Sequence, residues 1–381
     1  MIERDLRELI VKKIGTEKAI VVLGPRQTGK TTLLANIASE AGAYLLLDCD
    51  EIYVRERLEN TNIENLRQLV GNHKTIFIDE AQRVKNIGLT LKIITDRLKD
   101  IQLLVSGSSA LEIANEINEP LTGRKWEYML LPISWNEFRS HFGYLKAQQQ
   151  LEQRLIYGMY PDVINHTGSE QEVLKQLSNS YLYKDLLVIQ SVRKPDLLPK
   201  LLKALALQLG NEVSYNELAN LLQVSKDTVA TYINLLEKAF IVFRLEPFSR
   251  NIRNEISTNR KIFFYDNGIR NALISNFSPL GLRQDTGALW ENFLISERIK
   301  FLNNNNIFAS SYFWRTTQEQ EVDYVEERDG KIFAYEMKWN KKSKVAFSST
   351  FTKVYNPELM VVNTENFEVF LLPNYSVQNE V

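Results

Sequence analysis

The 381-residue chain has a single cysteine, Cys49. One thiol excludes an intramolecular disulfide, and such usage fits a reducing compartment such as the cytoplasm. Cys49 follows the apolar run at 45–47 and reads as a small residue near a strand end. No run of about 18 apolar residues occurs, so no membrane span is expected. The opening Met1-Ile2-Glu3-Arg4-Asp5 lacks the apolar core of a secretory signal. The formal net charge is only -1. Bulk charge therefore does not advertise a nucleic-acid partner, although a basic face can hide in a neutral total. No glycine- or serine-rich linker and no internal repeat interrupts the chain; low complexity is limited to Gln148-Gln149-Gln150 and the asparagines at 303–306.

What remains is an ordinary globular composition, 44% apolar and 24% charged. The length suffices for two or three domains, each able to bury a core. Residues 1–14 read as an amphipathic helix with Leu6, Leu9, Ile10 and Ile14 on one side. Apolar strands at 19–23, 44–47, 75–78 and 102–105 alternate with helices beginning near Lys30, around 51–71 and at 88–99. Continuous apolar strands alternating with helices predict a parallel sheet covered on both faces. A further strand is expected at 126–131, before Pro132. Residues 133–210 read as mostly helical. Beyond Lys261, strands are expected at 262–265, 322–326, 332–337, 359–362 and 367–372, with a helix at 287–302.

The strand at 19–23 runs into Gly24-Pro25-Arg26-Gln27-Thr28-Gly29-Lys30-Thr31-Thr32, a complete G-x-x-x-x-G-K-[ST] phosphate loop. Its glycines let successive N–H groups turn inward on phosphate oxygens, and the following helix adds the positive end of its dipole. Lys30 is expected to reach the β- and γ-phosphates and Thr31 to hold Mg²⁺. The strand at 75–78 then delivers Asp79 and Glu80 to the edge where open α/β sheets bind ligands. Asp79 suits Mg²⁺, directly or through water, and Glu80 suits the attacking water. A protein that only bound nucleotide would not need Glu80, so the pattern points to hydrolysis. The strand at 102–105 ends in Ser106-Gly107-Ser108-Ser109. Ser108, or else Ser106, either touches the γ-phosphate or caps a helix starting at Ala110.

This order of motifs resembles the AAA superfamily. More narrowly it is similar to a prokaryotic group of two-part ATPases, an AAA-type domain joined to a C-terminal domain with a restriction-endonuclease-like core. The residues that carry the resemblance are Gly24 to Thr32, Asp79-Glu80-Ala81-Gln82, Gly107-Ser108-Ser109, Leu121-Thr122-Gly123-Arg124, Pro132-Ile133-Ser134-Trp135-Asn136-Glu137-Phe138, Gly158-Met159-Tyr160-Pro161, Tyr265-Asp266-Asn267-Gly268 and Trp290-Glu291-Asn292-Phe293. The resemblance implies an AAA-type ATPase domain at 1–135, a helical lid or linker at 136–210, a winged helix at 211–260 and a restriction-endonuclease-like α/β domain at 261–381. It favours ATP over GTP. It makes Arg124 either an arginine finger acting on a neighbouring subunit, hence a homo-oligomer such as a hexameric ring or a dimer, or a surface arginine. Arg26 is a second phosphate candidate, and Tyr160 with Pro161 would pack on the adenine.

Within 211–246, Ser214–Leu222 and Ser225–Lys238 read as a helix-turn-helix with the apolar seam Leu218, Leu221, Val229, Ile233 and Leu236. The second helix carries one early basic residue, Lys226, beside Asp227, and is poorly suited to reading a groove. Arg250, Arg253, Arg260 and Lys261 in the following wing would instead grip DNA phosphates without reading sequence. The same module serves equally as a spacer or a dock for protein partners. Farther on, Asp323 and the alternating Glu336 and Lys338 form a D…E-x-K arrangement, with Glu291, or in reserve Glu297, as an added acid. Such residues suit a second Mg²⁺ or Mn²⁺ and phosphodiester attack; the alternative is a nuclease-like fold kept for binding. The expected function is Mg²⁺-dependent ATP hydrolysis coupled to DNA binding or remodelling, with a nucleotide-dependent signalling or defence switch as the alternative.

Overall fold

The computed structural model describes residues 1–59, 61–108, 120–178, 196–249, 259–316, 318–342 and 345–372. The chain divides into two compact units, Met1–Ile133 with Lys238–Phe240, and Ser134–Glu237 with Ile241–Val381.

The first unit is built on five strands, β1 (Ala19–Leu23), β2 (Tyr44–Asp48), β3 (Thr75–Asp79), β4 (Gln102–Gly107) and β5 (Lys125–Met129). They are all parallel, in the order β2-β3-β4-β1-β5. Every residue of β1 and β3 is buried, because helices cover both faces of a parallel sheet. Leu6 and Ile10 of the helix Leu6–Val11 pack with Leu34, Ile37 and Ala38 of the helix Lys30–Glu40 against Ile20, Val22, Phe77 and Leu104. The first helix is shorter than expected at both ends: it begins at Leu6 and gives way after Val11 to turns at 12–15, with Gly15 at φ 79°. The stretch 51–71 holds two helices, Ile52–Leu58 and Ile63–Val70. The strand order matters for function. β4 lies between β1 and β3, so the C-terminal ends of these three strands lie side by side at one edge of the sheet.

The second unit carries a seven-stranded mixed sheet ordered β12-β11-β10-β9-β7-β8-β6. Its strands are β6 (Glu212–Ser214), β7 (Val242–Pro247), β8 (Asn259–Phe264), β9 (Ser310–Arg315), β10 (Glu321–Arg328), β11 (Lys331–Met337) and β12 (Glu358–Val362). The division expected between residues 260 and 261 falls inside β8, which pairs antiparallel with both β6 and β7. Parallel pairing of β7 with β9 then joins these strands to the C-terminal ones. The register shifts between Val322 and Val325, a bulge in the stretch that holds Asp323 and Tyr324. The expected strand at 367–372 is a correction: Phe367–Leu371 is a short helix. Phe367, Phe370 and Leu371 stand three and four residues apart, the helical period, and all three are buried.

Several motifs of the second unit prove to be its internal fastenings. Ser134 and Glu137 form a reciprocal capping box on the helix Trp135–Phe142. The buried Asp266 carboxylate accepts hydrogen bonds from the backbone N–H of Met159 (2.6 Å) and Ile269 (3.1 Å). At Gly158, with φ 74°, an added Cβ would sit 2.1 Å from Asp266 Oδ1. Asn292 donates to Phe264 O and to Asn267 Oδ1, while Asn267 donates to Leu155 O and Leu289 O. Buried amides in such a network must all be satisfied, which restricts these positions to residues of one shape.

Candidate functional site

The phosphate loop follows from its flanks. β1 ends at Leu23, whose register partners are Gly107 of β4 and Met129 of β5. Gly24 then turns at φ 151°, where a Cβ would lie 2.2 Å from the Leu130 carbonyl oxygen. The loop closes on itself: Thr28 Oγ1 donates to Pro25 O at 2.9 Å, and Lys30 Nζ donates to Gly24 O (2.9 Å) and Pro25 O (2.7 Å). Lys30, only 4% exposed, therefore holds its ammonium inside the loop. Gly29 caps the helix that begins at Lys30, so the helix N-terminus faces the same space. Gln27 and Thr32 are exposed and Arg26 is half-buried.

β3 brings its acids to this edge. Thr31 Oγ1 donates to Asp79 Oδ2 at 2.9 Å and Oδ1 at 3.1 Å. Ser106 Oγ also donates to Asp79 Oδ1, and accepts from the Glu80 N–H at 3.1 Å. A hydroxyl and a carboxylate in contact are hard oxygen donors that suit Mg²⁺. Glu80 follows with φ 51° and ψ 43°, left-handed values uncommon for a residue with a side chain. Lys30, Thr31, Asp79, Ser106 and Glu80 thus stand at one sheet edge, with Ser108 at the end of β4. Ser109 and the segment after it lie outside the described residues.

Arg124 stands at the other edge. Its carbonyl accepts from Ala19 N at the start of β1, and its Nε pairs with Asp96 Oδ1 at 2.6 Å. It is a strand's length from the loop of its own chain. Two supports had no role assigned from sequence. Arg4 Nη1 donates to Thr28 O and Nη2 to Leu131 O, both at 2.6 Å, bracing the loop from behind. Gln82 contacts both Glu80 and Ser108. Only Gln82 had a local signal, its place two residues after the acidic pair.

In the second unit, Lys338 Nζ lies 2.8 Å from Glu336 Oε2 and 3.1 Å from Asp323 Oδ2. The Met337 N–H also donates to Asp323. Glu291 pairs instead with Lys261, Nζ to Oε1 3.0 Å, and Lys261 further pairs with Glu321 at 2.5 Å. Burial pushes the Glu291 carboxyl up to about 7; Lys261 opposes the shift and Asp323 adds to it. Burial and Asp323 likewise raise Glu336. Burial works against the charge on Lys261, but Glu291 and Glu321 outweigh it and hold the ammonium above its ordinary range.

Two expectations are corrected here, the DNA contact at Lys261 and the reserve acid Glu297. Lys261 is 1% exposed and held by two carboxylates, so it presents no charge to a DNA backbone. Among the described residues no group of three His, Cys, Asp or Glu side chains gathers as metal ligands; Lys338 lies between Asp323 and Glu336, and Lys261 lies against Glu291. The reserve acid Glu297 is buried, accepting from Trp135 N at 2.6 Å and from Lys300 at 2.6 Å. Arg260 pairs with Glu246 at 2.9 Å. Arg250 and Arg253 lie outside the described residues. Tyr160 is 3% exposed, in the core of its unit, and Pro161 opens the helix Pro161–Asn165.

Residues 16–139 match the family described as AAA domain. Residues 148–283 and 286–377 match two families each described only as a domain of unknown function. An uncharacterized protein of Mycobacterium tuberculosis is 26% identical over 340 residues, which cover 88% of this chain and 73% of that protein. An uncharacterized protein of Methanocaldococcus jannaschii is 27% identical over 355 residues, covering 85% and 75%. Among solved structures, the Walker-type ATPase of Pyrococcus abyssi shares the fold with a TM-score of 0.52 at 15% identity, over 72% of this chain and 96% of that one. Among the described residues no helix is long and apolar enough to cross a membrane. The N-terminal part of the chain is a P-loop ATPase domain of AAA-like type.

Proposed function

We propose that the protein is a Mg²⁺-dependent ATP hydrolase whose second unit carries the output of the cycle. The observation that carries the reading is the convergence of Lys30, Thr31, Asp79 and Glu80 at one sheet edge, Thr31 Oγ1 lying 2.9 Å from Asp79 Oδ2. In this reading the loop N–H groups and Lys30 bind the β- and γ-phosphates, while Thr31 and Asp79 hold Mg²⁺, which neutralises phosphate charge when bound. Glu80 accepts the proton of the attacking water. The water oxygen bonds to the γ-phosphorus, the bond to the β–γ bridging oxygen breaks, and its electron pair leaves with ADP. Arg124, half-exposed and far from its own loop, would exchange its Asp96 partner for a phosphate of a neighbouring copy in a homo-oligomer.

DNA is the first partner proposed for the output. Among the described residues of 212–264, the strand-helix-helix-strand-strand order supports a winged-helix reading, with Ser214 and Ser225 capping its two helices at Glu217 N and Thr228 N. A protein partner is the second reading, favoured by Arg260 and Lys261 being consumed in ion pairs. The test is ATP turnover with and without single-stranded, duplex and four-way-junction DNA, with Glu80→Gln alongside. DNA stimulation abolished in Glu80→Gln supports the DNA-coupled reading. Turnover indifferent to every DNA form removes it and leaves the switch. Absence of turnover removes the hydrolase. DNA integrity in the same reactions, with Mg²⁺ and with Mn²⁺, tests cleavage by Glu291, Asp323, Glu336 and Lys338.

A further inference from the structure

We infer that Gln82 is a positioning residue for hydrolysis, holding the Glu80 carboxylate and tying it to Ser108 at the end of β4. The inference rests on the hydrolase reading above. Gln82 sits in the single 3-10 turn Ala81–Arg83 that follows β3. The left-handed Glu80 begins this turn, which lets Gln82 fold back over the acid two residues before it. Its amide then makes three hydrogen bonds. Nε2 donates to Glu80 Oε2 at 2.5 Å and to Ser108 Oγ at 2.8 Å, and Oε1 accepts from the Ser108 N–H at 3.3 Å.

The chemistry needs an amide. A primary amide offers two donors and an acceptor on one planar group. A carboxylate at this position would repel Glu80, and a lysine would have no acceptor for Ser108 N. Gln82 engages Oε2 and leaves Oε1 to take the water proton as the water oxygen bonds to the γ-phosphorus and ADP departs. Ser108 Oγ accepts from Gln82, so its own proton is available to a phosphate oxygen. One side chain therefore links the residue that meets the γ-phosphate to the residue that orients the water. The arrangement joins two strands, β3 and β4, that run parallel and adjacent, so it needs no movement of the sheet.

The test compares steady-state and single-turnover ATP hydrolysis by the full chain and by Gln82→Ala, Gln82→Glu, Glu80→Gln and Gln82→Ala/Glu80→Gln. Affinity for a fluorescent ATP analogue with Mg²⁺ is measured on each protein. Gln82→Ala is expected to lower kcat about 10- to 100-fold, the range for losing orientation of a general base, with KM and nucleotide affinity within about threefold. Gln82→Glu is expected to be at least as slow. In the Glu80→Gln background the second change is expected to cost nothing further, because the residue acts through the acid. A kcat within twofold of wild type overturns the inference. So does a raised KM at unchanged kcat, which would make Gln82 a nucleotide contact, and so does a full additive loss in the double variant. Retained nucleotide affinity certifies that a slow variant is folded at its loop. A wild-type protein that binds ATP without turnover fails the hydrolase reading on its own, before any Gln82 variant is compared, and takes this inference with it.

Discussion

Replacing Lys261 with methionine separates a buried structural cation from a DNA-binding one. The ammonium is 1% exposed, 3.0 Å from Glu291 and 2.5 Å from Glu321. At these distances and an effective dielectric near 20, each pair is worth about 6 kcal/mol before desolvation. Removing one partner of a buried pair leaves an uncompensated charge and costs about 3–5 kcal/mol. The part-exposed Glu321 can turn to water, so most of the loss falls on Glu291. That carboxyl already sits at about 7 in the fold, against about 4.3 in an unfolded chain. A raised carboxyl contributes stability that is present below its unfolded value and lost as pH rises through the folded one. Without Lys261 its folded value rises further. The gap between variant and wild type is therefore expected to be smaller at pH 6 than at pH 8.5. Urea unfolding followed by tryptophan fluorescence reads this directly, since Trp135, Trp290, Trp314 and Trp339 belong to the second unit and only Trp126 to the first. A loss below about 1 kcal/mol at pH 8.5 would refute the argument: the lysine would be solvated, and the expectation of a phosphate contact would stand again.

Two further tests address the fastenings of the same unit. Burial works to raise the Asp285 carboxyl, but hydrogen bonds from Arg283 and Arg270 outweigh it and hold it at about 2. Its stabilisation is thus present above the unfolded value near 3.9 and lost as pH falls toward 2. Asp285→Asn is expected to cost about 2 kcal/mol at pH 7 and to match wild type near pH 2, read by denaturant midpoints across that range. Gly158→Ala would drive a Cβ to 2.1 Å from Asp266 Oδ1 and expel a buried carboxylate from its N–H donors. A loss of about 3 kcal/mol or more is expected. A thermal midpoint unchanged from wild type would mean that the Asp266 contact is not as drawn.

Part of this protein is written locally. A buried parallel strand, a glycine turn and a helix follow one another within Ala19 to Glu40, so the phosphate loop is legible from adjacent residues. Asp79 and Glu80 are legible for the same reason, because an apolar strand carries whatever follows it to the sheet edge. The period of three and four in Phe367, Phe370 and Leu371 was also there to read, yet a run of apolar residues that short supports strand and helix alike.

What the chain order could not carry is partnership across distance. Gln82 meets Ser108 because β4 lies beside β3, and Arg4 reaches Leu131, 127 residues away, because a helix packs behind the loop. Lys261 reads as one more base in a basic wing until β8 places it against Glu291 of the helix Thr286–Asn304 and Glu321 of β10. Asp266 reads as part of a polar turn until Met159 and Gly158 close over it. The sequence by itself determined most of the strands and helices and the glycine turn that joins β1 to its helix, since propensity and turn chemistry act between neighbours. Only the tertiary structure decided which charges face water and which neutralise each other. That depends on strand order and burial, and the free energy of a charge is set by its surroundings more than by its identity.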